Sequence, residues 1–257
     1  MTLVSTAVAI AVAMLLLWLL SLPLRNASIA DVFWPLGFVL VAVISLRADG
    51  YAPRKTLVLA LVAAWGFRLA VHLYLRNRGH GEDPRYRAMR RRWGERRFPV
   101  VSLFTVFGFQ GALLWIVSLP VQASMGSPRR LWAVDVIGAV VWLAGFVFEA
   151  IGDLQLTRFR TRAANADRVL DTGLWRYTRH PNYFGNALLW WGLGLIAVAA
   201  GRPWALIGPL VMTVLLLRVS GVPLLERRMR RTRPGYEEYV SRTSAFVPMR
   251  PKQEVRG

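Results

Sequence analysis

Gly173-Leu174-Trp175-Arg176-Tyr177-Thr178-Arg179-His180-Pro181-Asn182-Tyr183 runs without a break into the apolar stretch 183–201. A cluster of cations and hydrogen-bonding side chains therefore stands at the mouth of a membrane helix. Pro181 suits the first turn of a helix, where its missing N–H costs nothing. The free backbone N–H groups beyond it, together with Arg176 and Arg179, can meet phosphate. The segment reads as a binding site joined to a spanning helix.

Outward from that segment, the chain is far too apolar for a soluble domain. Of its 257 residues 55% are hydrophobic and the mean hydropathy is +0.38, more apolar surface than a chain of this size needs to bury. Seven apolar runs can be drawn, at 4–22, 29–46, 56–75, 99–122, 131–152, 183–201 and 203–222. Each is near the ~20 residues that a bilayer-spanning helix requires. The expected architecture is all-α: one polytopic membrane domain over 1–257 with about seven transmembrane helices and a cofactor-binding half at about 131–257. The last two runs, joined at Gly201-Arg202-Pro203, should form a hairpin.

The formal net charge of +19 raises the question of nucleic acid, but the cations are segregated by loop. Segments 76–98, 153–182 and 223–257 hold 9, 6 and 9 Lys and Arg, against 3, 2 and 1 in 47–55, 123–130 and 200–203. That alternation is a membrane-topology signal, and it excludes a nucleic-acid partner as the reason for the charge. It predicts an outside N-terminus, a cytoplasmic C-terminus and cytoplasmic active-site loops in an integral protein of a bacterial inner membrane. The first run lacks a basic leader, and Arg25 follows it, so helix one is expected to be retained. With no cysteine and only three scattered histidines, His72, His80 and His180, no metal site is expected.

Three groups of residues could carry chemistry. Glu149, Asp153 and Arg160 share one stripe of a continuing helix, and charges at that depth are costly without partners. The acids suit ribose or amide groups, with Arg158 and Arg160 on phosphate; a salt-bridge network is the structural alternative. Asp31 opens helix two, where an acid also serves as a simple helix-start residue. Arg68, His72 and Tyr74 lie on helix three, with Arg68 and His72 on one face. With Asp31 they form a candidate proton-donor site, so Asp31, His72 and Tyr74 are the catalytic candidates. In the loop before the basic run 87–97, Glu82, Asp83, Arg85 and Tyr86 are candidate cofactor-loop residues, and the run itself suits lipid headgroups. No G-x-G-x-x-G, P-loop or G-x-S-x-G motif occurs, so any nucleotide must be held by the membrane helices and their loops.

Residues 149–183 resemble the C-terminal half of the steroid 5-alpha-reductase superfamily, in particular its DUF1295 branch. The resemblance rests on Glu149-x-x-x-Asp153, Arg160, Gly173-Leu174-x-x-Tyr177 and Asn182-x-x-Gly185. The tail Tyr236-Glu237-Glu238-Tyr239, Thr243 and Phe246-Val247-Pro248 extends it. It implies a seven-helix, NADPH-dependent reductase of a carbon–carbon double bond conjugated to a ketone, acting on a 3-oxo-steroid 4-ene or another lipid. By matching position Glu149, Asp153, Arg160, Tyr177 and Asn182 would contact the cofactor. Arg158, Arg176, Arg179, His180 and Tyr183 complete the expected cofactor set. The family's carbonyl-polarising Glu and Tyr have their nearest counterparts in Asp31 and His72.

The chain also resembles the isoprenylcysteine carboxyl methyltransferases through Gly173, Tyr177, Arg179, His180, Pro181, Tyr183 and Gly185, which would imply S-adenosylmethionine as cofactor. Those enzymes show paired acids after the final span, whereas Glu226 here is followed by Arg227. A third class is a non-catalytic lipid-binding membrane protein that keeps the fold.

Overall fold

The computed structural model describes residues 2–165, 167–219 and 221–252. Among these every regular element is helical. Five helical segments are long and apolar enough to cross a membrane: Thr2–Leu24, Ala52–Asn77, Pro84–Val117, Ala133–Arg160 and Pro203–Thr232. The other two expected runs are also helices. Ile29–Ser45 has 17 residues. Pro181–Ala199 has 19, with Asn182 and Asn186 in its opening turns. The protein is a polytopic, all-helical membrane protein. Its chain divides into two compact units, one of residues 1–132 and 197–208, the other of 133–196 and 209–257.

The first unit holds α1 (Thr2–Leu24), α2 (Ile29–Ser45), α3 (Ala52–Asn77), α4 (Pro84–Ser102), α5 (Phe109–Val117) and α6 (Leu119–Met125). Its core is the α2–α3 seam, where Phe38, Val41, Val58, Val62 and Trp65 are fully buried. Gly66 makes the seam close: a Cβ there would lie 2.8 Å from the carbonyl oxygen of Pro35. Arg54, also fully buried, donates to the carbonyl oxygens of Arg129 at 2.5 Å and Arg130 at 3.0 Å. A guanidinium with five donors can hold such a loop where a shorter cation could not. Between α4 and α5 the chain makes a π-helical turn over Leu103–Gly108, and Gly94 (φ 74°) bends α4 just before its apolar part.

The second unit is built on α7 (Ala133–Arg160) and α8 (Pro181–Ala199), followed by α9 (Ile207–Val214), α10 (Val222–Thr232) and α11 (Tyr236–Arg242). Glycines recur every seven residues on both leading helices, at 138, 145 and 152 and at 185 and 192. Seven residues are nearly two turns, so each set lies on one face. A Cβ on Gly185 would lie 2.6 Å from the carbonyl oxygen of Gly145, and one on Gly192 2.7 Å from that of Gly138. Hydrocarbon supplies no hydrophobic drive for helix pairing, so backbone-to-backbone approach of this kind does the packing. The expected hairpin also forms. Gly201 takes φ +77°, its N–H reaches the carbonyl oxygen of Val198 at 2.8 Å, and Trp191 Nε1 donates to Thr213 Oγ1 at 3.1 Å.

Candidate functional site

The close α7–α8 seam sets two polar rungs. Asn186 Nδ2 donates to Glu149 Oε1 at 3.3 Å, and Asn182 Nδ2 donates to Asp153 Oδ1 at 3.1 Å. Both pairs are spaced i, i+4 on their helices, so acids and amides face each other in register. Glu149 and Asp153 are almost wholly buried, and burial of a carboxylate requires this kind of satisfaction.

At the polar end of the seam lies an open-mouthed cavity with an empty volume of about 710 Å³, open solvent included. Arg160, Arg168, Arg179 and Arg233 line it with Trp175, Tyr236 and Tyr239, and among the described residues no lining side chain is an acid. The loop that carries Trp175 is fixed from several sides. Gly173 (φ +62°) leaves room for Gln155, whose Oε1 accepts from Leu174 N–H at 3.0 Å. Trp175 Nε1 donates to the carbonyl oxygen of Gly152 at 3.2 Å, and Tyr239 Oη donates to that of Trp175 at 2.5 Å. The tail closes the assembly: Thr178 Oγ1 donates to the carbonyl oxygen of Phe246 at 2.8 Å, and Met249 N–H to that of Tyr177 at 2.9 Å.

Glu226, on α10, draws two of the opening residues together. Its Oε1 accepts from Arg179 Nε at 2.8 Å and lies 3.1 Å from His180 Nε2. Arg179 Nη1 donates to the carbonyl oxygens of Val240 at 3.2 Å and Thr243 at 2.6 Å. His180 is buried with its ring stacked on Tyr183, centroids 5.5 Å apart. Burial pushes His180 below the usual imidazole range, against the pull of Glu226. Burial also pushes the Tyr236 phenol up to about 12.

The expected cofactor residues therefore separate. Glu149, Asp153 and Asn182 meet on the seam, and Arg160, Arg179 and His180 line the cavity. Arg158, Arg176 and Tyr177 are exposed and lie outside the cavity lining. Arg158 stands two residues from Arg160, so about 200° of helix rotation turns it away. Arg179 is bound to Glu226 and is not a free phosphate ligand. Arg168 and Arg233, which the sequence reading passed over, take up the cationic lining.

In the first unit Asp31 has different partners from those expected. Its Oδ1 accepts from Tyr86 Oη at 2.7 Å and from Gln110 Nε2 at 3.3 Å, and its Oδ2 pairs with Arg85 Nη2 at 2.7 Å. Gln110 Nε2 also donates to Tyr86 Oη at 3.0 Å. Asp83, the N-cap of α4, accepts from Arg85 N–H and Nε at 2.9 Å and so fixes the arginine. His72 is half-buried on α3 and Tyr74 is 54% exposed; neither is a partner of Asp31. The acid's companion is Tyr86, 55 residues away in sequence, on a helix the α3 periodicity could not reach.

A family model described as "Protein of unknown function (DUF1295)" matches residues 17–243. The chain belongs to the DUF1295 family. DUF1295 proteins form part of the steroid 5-alpha-reductase-like superfamily. The match takes in the seam, the cavity loop and most of the tail, as well as Asp31, Tyr86 and Gln110. This DUF1295 chain is also similar to the "Uncharacterized protein C594.04c" of Schizosaccharomyces pombe, 26% identical over 265 residues that cover 90% of this chain and 75% of that one. No solved structure matches it.

Proposed function

We propose that the protein is a membrane-embedded reductase that uses NADPH to saturate a carbon–carbon double bond conjugated to a ketone in a hydrophobic substrate. The observation that carries this reading is the cavity of the second unit, where Arg160, Arg168 and Arg233 line the opening beside the Glu226-bound Arg179. Such a lining suits a phosphorylated cofactor. S-adenosylmethionine offers such a lining one carboxylate and no phosphate, and brings a sulfonium and an ammonium that the cations repel.

The residues present fit the dinucleotide. Arg160, Arg168 and Arg233 would hold phosphate, and Trp175, Tyr236 and Tyr239 offer faces for a base. The Asp153–Asn182 and Glu149–Asn186 pairs offer acceptors and donors for ribose hydroxyls or a carboxamide. When bound, the nicotinamide supplies a hydride to the β-carbon of the enone. In the first unit Tyr86 Oη and Gln110 Nε2 donate to Asp31, and Gln110 Nε2 also to Tyr86 Oη, so a ketone oxygen would be polarised by a donor that exchanges Asp31 for it as negative charge develops. A solvent proton then completes the α-carbon. The excess of cations in the segments 153–182 and 223–257 supports a cytoplasmic cofactor side.

One observation favours the methyltransferase reading: Glu226 follows the last apolar span and joins Arg179 and His180 of the Arg-His-Pro segment. Calorimetric titration of the purified protein with NADPH, NADH and S-adenosylmethionine decides the matter. Binding of NADPH supports the reductase; binding of S-adenosylmethionine alone overturns it in favour of methyl transfer. Binding of none of the three supports a non-catalytic lipid-binding protein.

A further inference from the structure

A second concavity lies in the first unit, where α1 ends beside α4. Ser21, Leu22, Arg25, Arg90, Glu95 and Phe98 line it, with an empty volume of about 630 Å³, open solvent included. The end of α1 is built in a specific way. Asn26 N–H reaches the carbonyl oxygen of Ser21, and Arg25 N–H that of Leu22, each at 3.2 Å. This is a Schellman ending, and its left-handed position is ordinarily glycine. Here that position is Arg25, at φ 49°, the one non-glycine residue with positive φ among the described residues. Nothing in helix termination calls for an arginine there, and the conformation disfavours one. What the position gains is a cation at the rim of the concavity.

The two arginines of the concavity are held differently. Arg90 is mostly buried, paired with Glu82 at 2.9 Å and more loosely with Glu95 at 3.4 Å, and set over the Phe98 ring at 4.2 Å. Arg25 is 69% exposed and bound only to Glu95, itself 57% exposed, at 2.9 Å. Exposed pairs of this kind are weak and exchange partners readily. Around them Arg87, Arg91, Arg92, Arg96 and Arg97 are exposed, and so is Trp93, a residue that favours the lipid–water boundary. Toward the apolar part, Leu19 and Leu22 on α1 and Val100 and Phe104 on the α4 segment are exposed large apolar side chains. A ligand with a phosphate at one end and hydrocarbon at the other matches this order of surfaces.

We propose that the concavity between α1 and α4 is a binding site for an anionic membrane phospholipid, whose phosphate takes Arg25 from Glu95 while its acyl chain lies on the adjoining apolar faces. The site shares no residue with the cavity lining or the Asp31 cluster, and it does not depend on the reductase reading.

The test uses native mass spectrometry of the full-length protein, delipidated in detergent and then given phosphatidylglycerol. Wild type should retain one phosphatidylglycerol per chain through a detergent wash. Arg25→Gln should retain at least tenfold less. Glu95→Gln should retain more than wild type, because the competing carboxylate is gone. Opposite signs in the two variants separate lipid binding from a structural ion pair, whose loss would act alike from either side. Glycerol phosphate, which has the phosphate without the chains, should not displace the lipid. Equal retention by wild type and Arg25→Gln, a fall in Glu95→Gln, or displacement by glycerol phosphate would each overturn the proposal. Both substituted side chains are mainly exposed, so the variants should fold.

Discussion

Alanine at Gly185 tests whether the backbone contact between α7 and α8 sets the candidate site. Its added methyl would lie 2.4 Å from the backbone nitrogen of Glu149 and 2.6 Å from the carbonyl oxygen of Gly145. Both are backbone atoms, so no side chain can swing aside. Ordinary contact begins near 3.4 Å, and the helices must part by about 1 Å at this level, an overpacking that costs about 1–3 kcal/mol. The same displacement stretches the Asn186–Glu149 and Asn182–Asp153 hydrogen bonds, now 3.3 and 3.1 Å, past useful range, at about 0.5–1.5 kcal/mol each. A total of about 2–6 kcal/mol corresponds to a melting temperature lower by roughly 4–24 °C for a chain of this size. Thermal unfolding in detergent measures it, with Gly126→Ala as the comparison, since a Cβ there meets nothing nearer than 3.5 Å. A Gly185→Ala protein that melts within a degree of wild type would show that the seam is looser than described and that the rungs do not depend on it.

The cavity and the polar cluster give further expectations. Arg168→Gln and Arg233→Gln should each weaken NADPH binding by about 1.5–3 kcal/mol, the usual value for a charge-assisted hydrogen bond, in titration calorimetry; Arg158→Gln and Arg176→Gln should leave it unchanged. Tyr86→Phe and Asp31→Asn should slow enone reduction by on the order of 100- to 1000-fold with unchanged cofactor affinity, whereas Tyr74→Phe should reduce at the wild-type rate. His180, faced by Arg179 and Glu226 and held below its ordinary value, is neutral when folded and takes a proton more readily when unfolded. Stability is therefore complete at neutral pH and falls as pH drops below about 6.5 toward the folded value. His180→Gln should flatten the melting-temperature profile in that window.

The seven apolar runs all fall on helical segments, five of them among the described residues long and apolar enough to cross a membrane, because a run of ~20 apolar residues has few other fates. The Gly201 turn was equally legible, and so was the Glu149–Asp153 stripe, which is local to one helix. What sequence could not supply were partners. Asp31 meets Tyr86 and Gln110 across 55 and 79 residues, and Glu226 reaches Arg179 and His180 across 47 and 46. Arg168 looked like any other loop cation until the chain folded it onto the cavity. The seven-residue glycine spacing was in plain view, yet a search for heptads looks for large apolar residues, and here the seam is written in the smallest ones.

The π-helical turn over Leu103–Gly108 has its own consequence. Such a turn accommodates one residue more than an α-helical turn, so everything beyond it is rotated by about 100° from where an uninterrupted helix would put it. Gln110, two residues past the turn, points at Asp31 and Tyr86 because of that surplus residue. Removing one exposed residue, such as Thr105, would let the segment relax into plain α-helix and carry the amide to another side of the rod. Composition and hydropathy would be all but unchanged. Residue count along this one stretch is thus a chemical variable, and a single-codon deletion could disarm the cluster without touching any of its members.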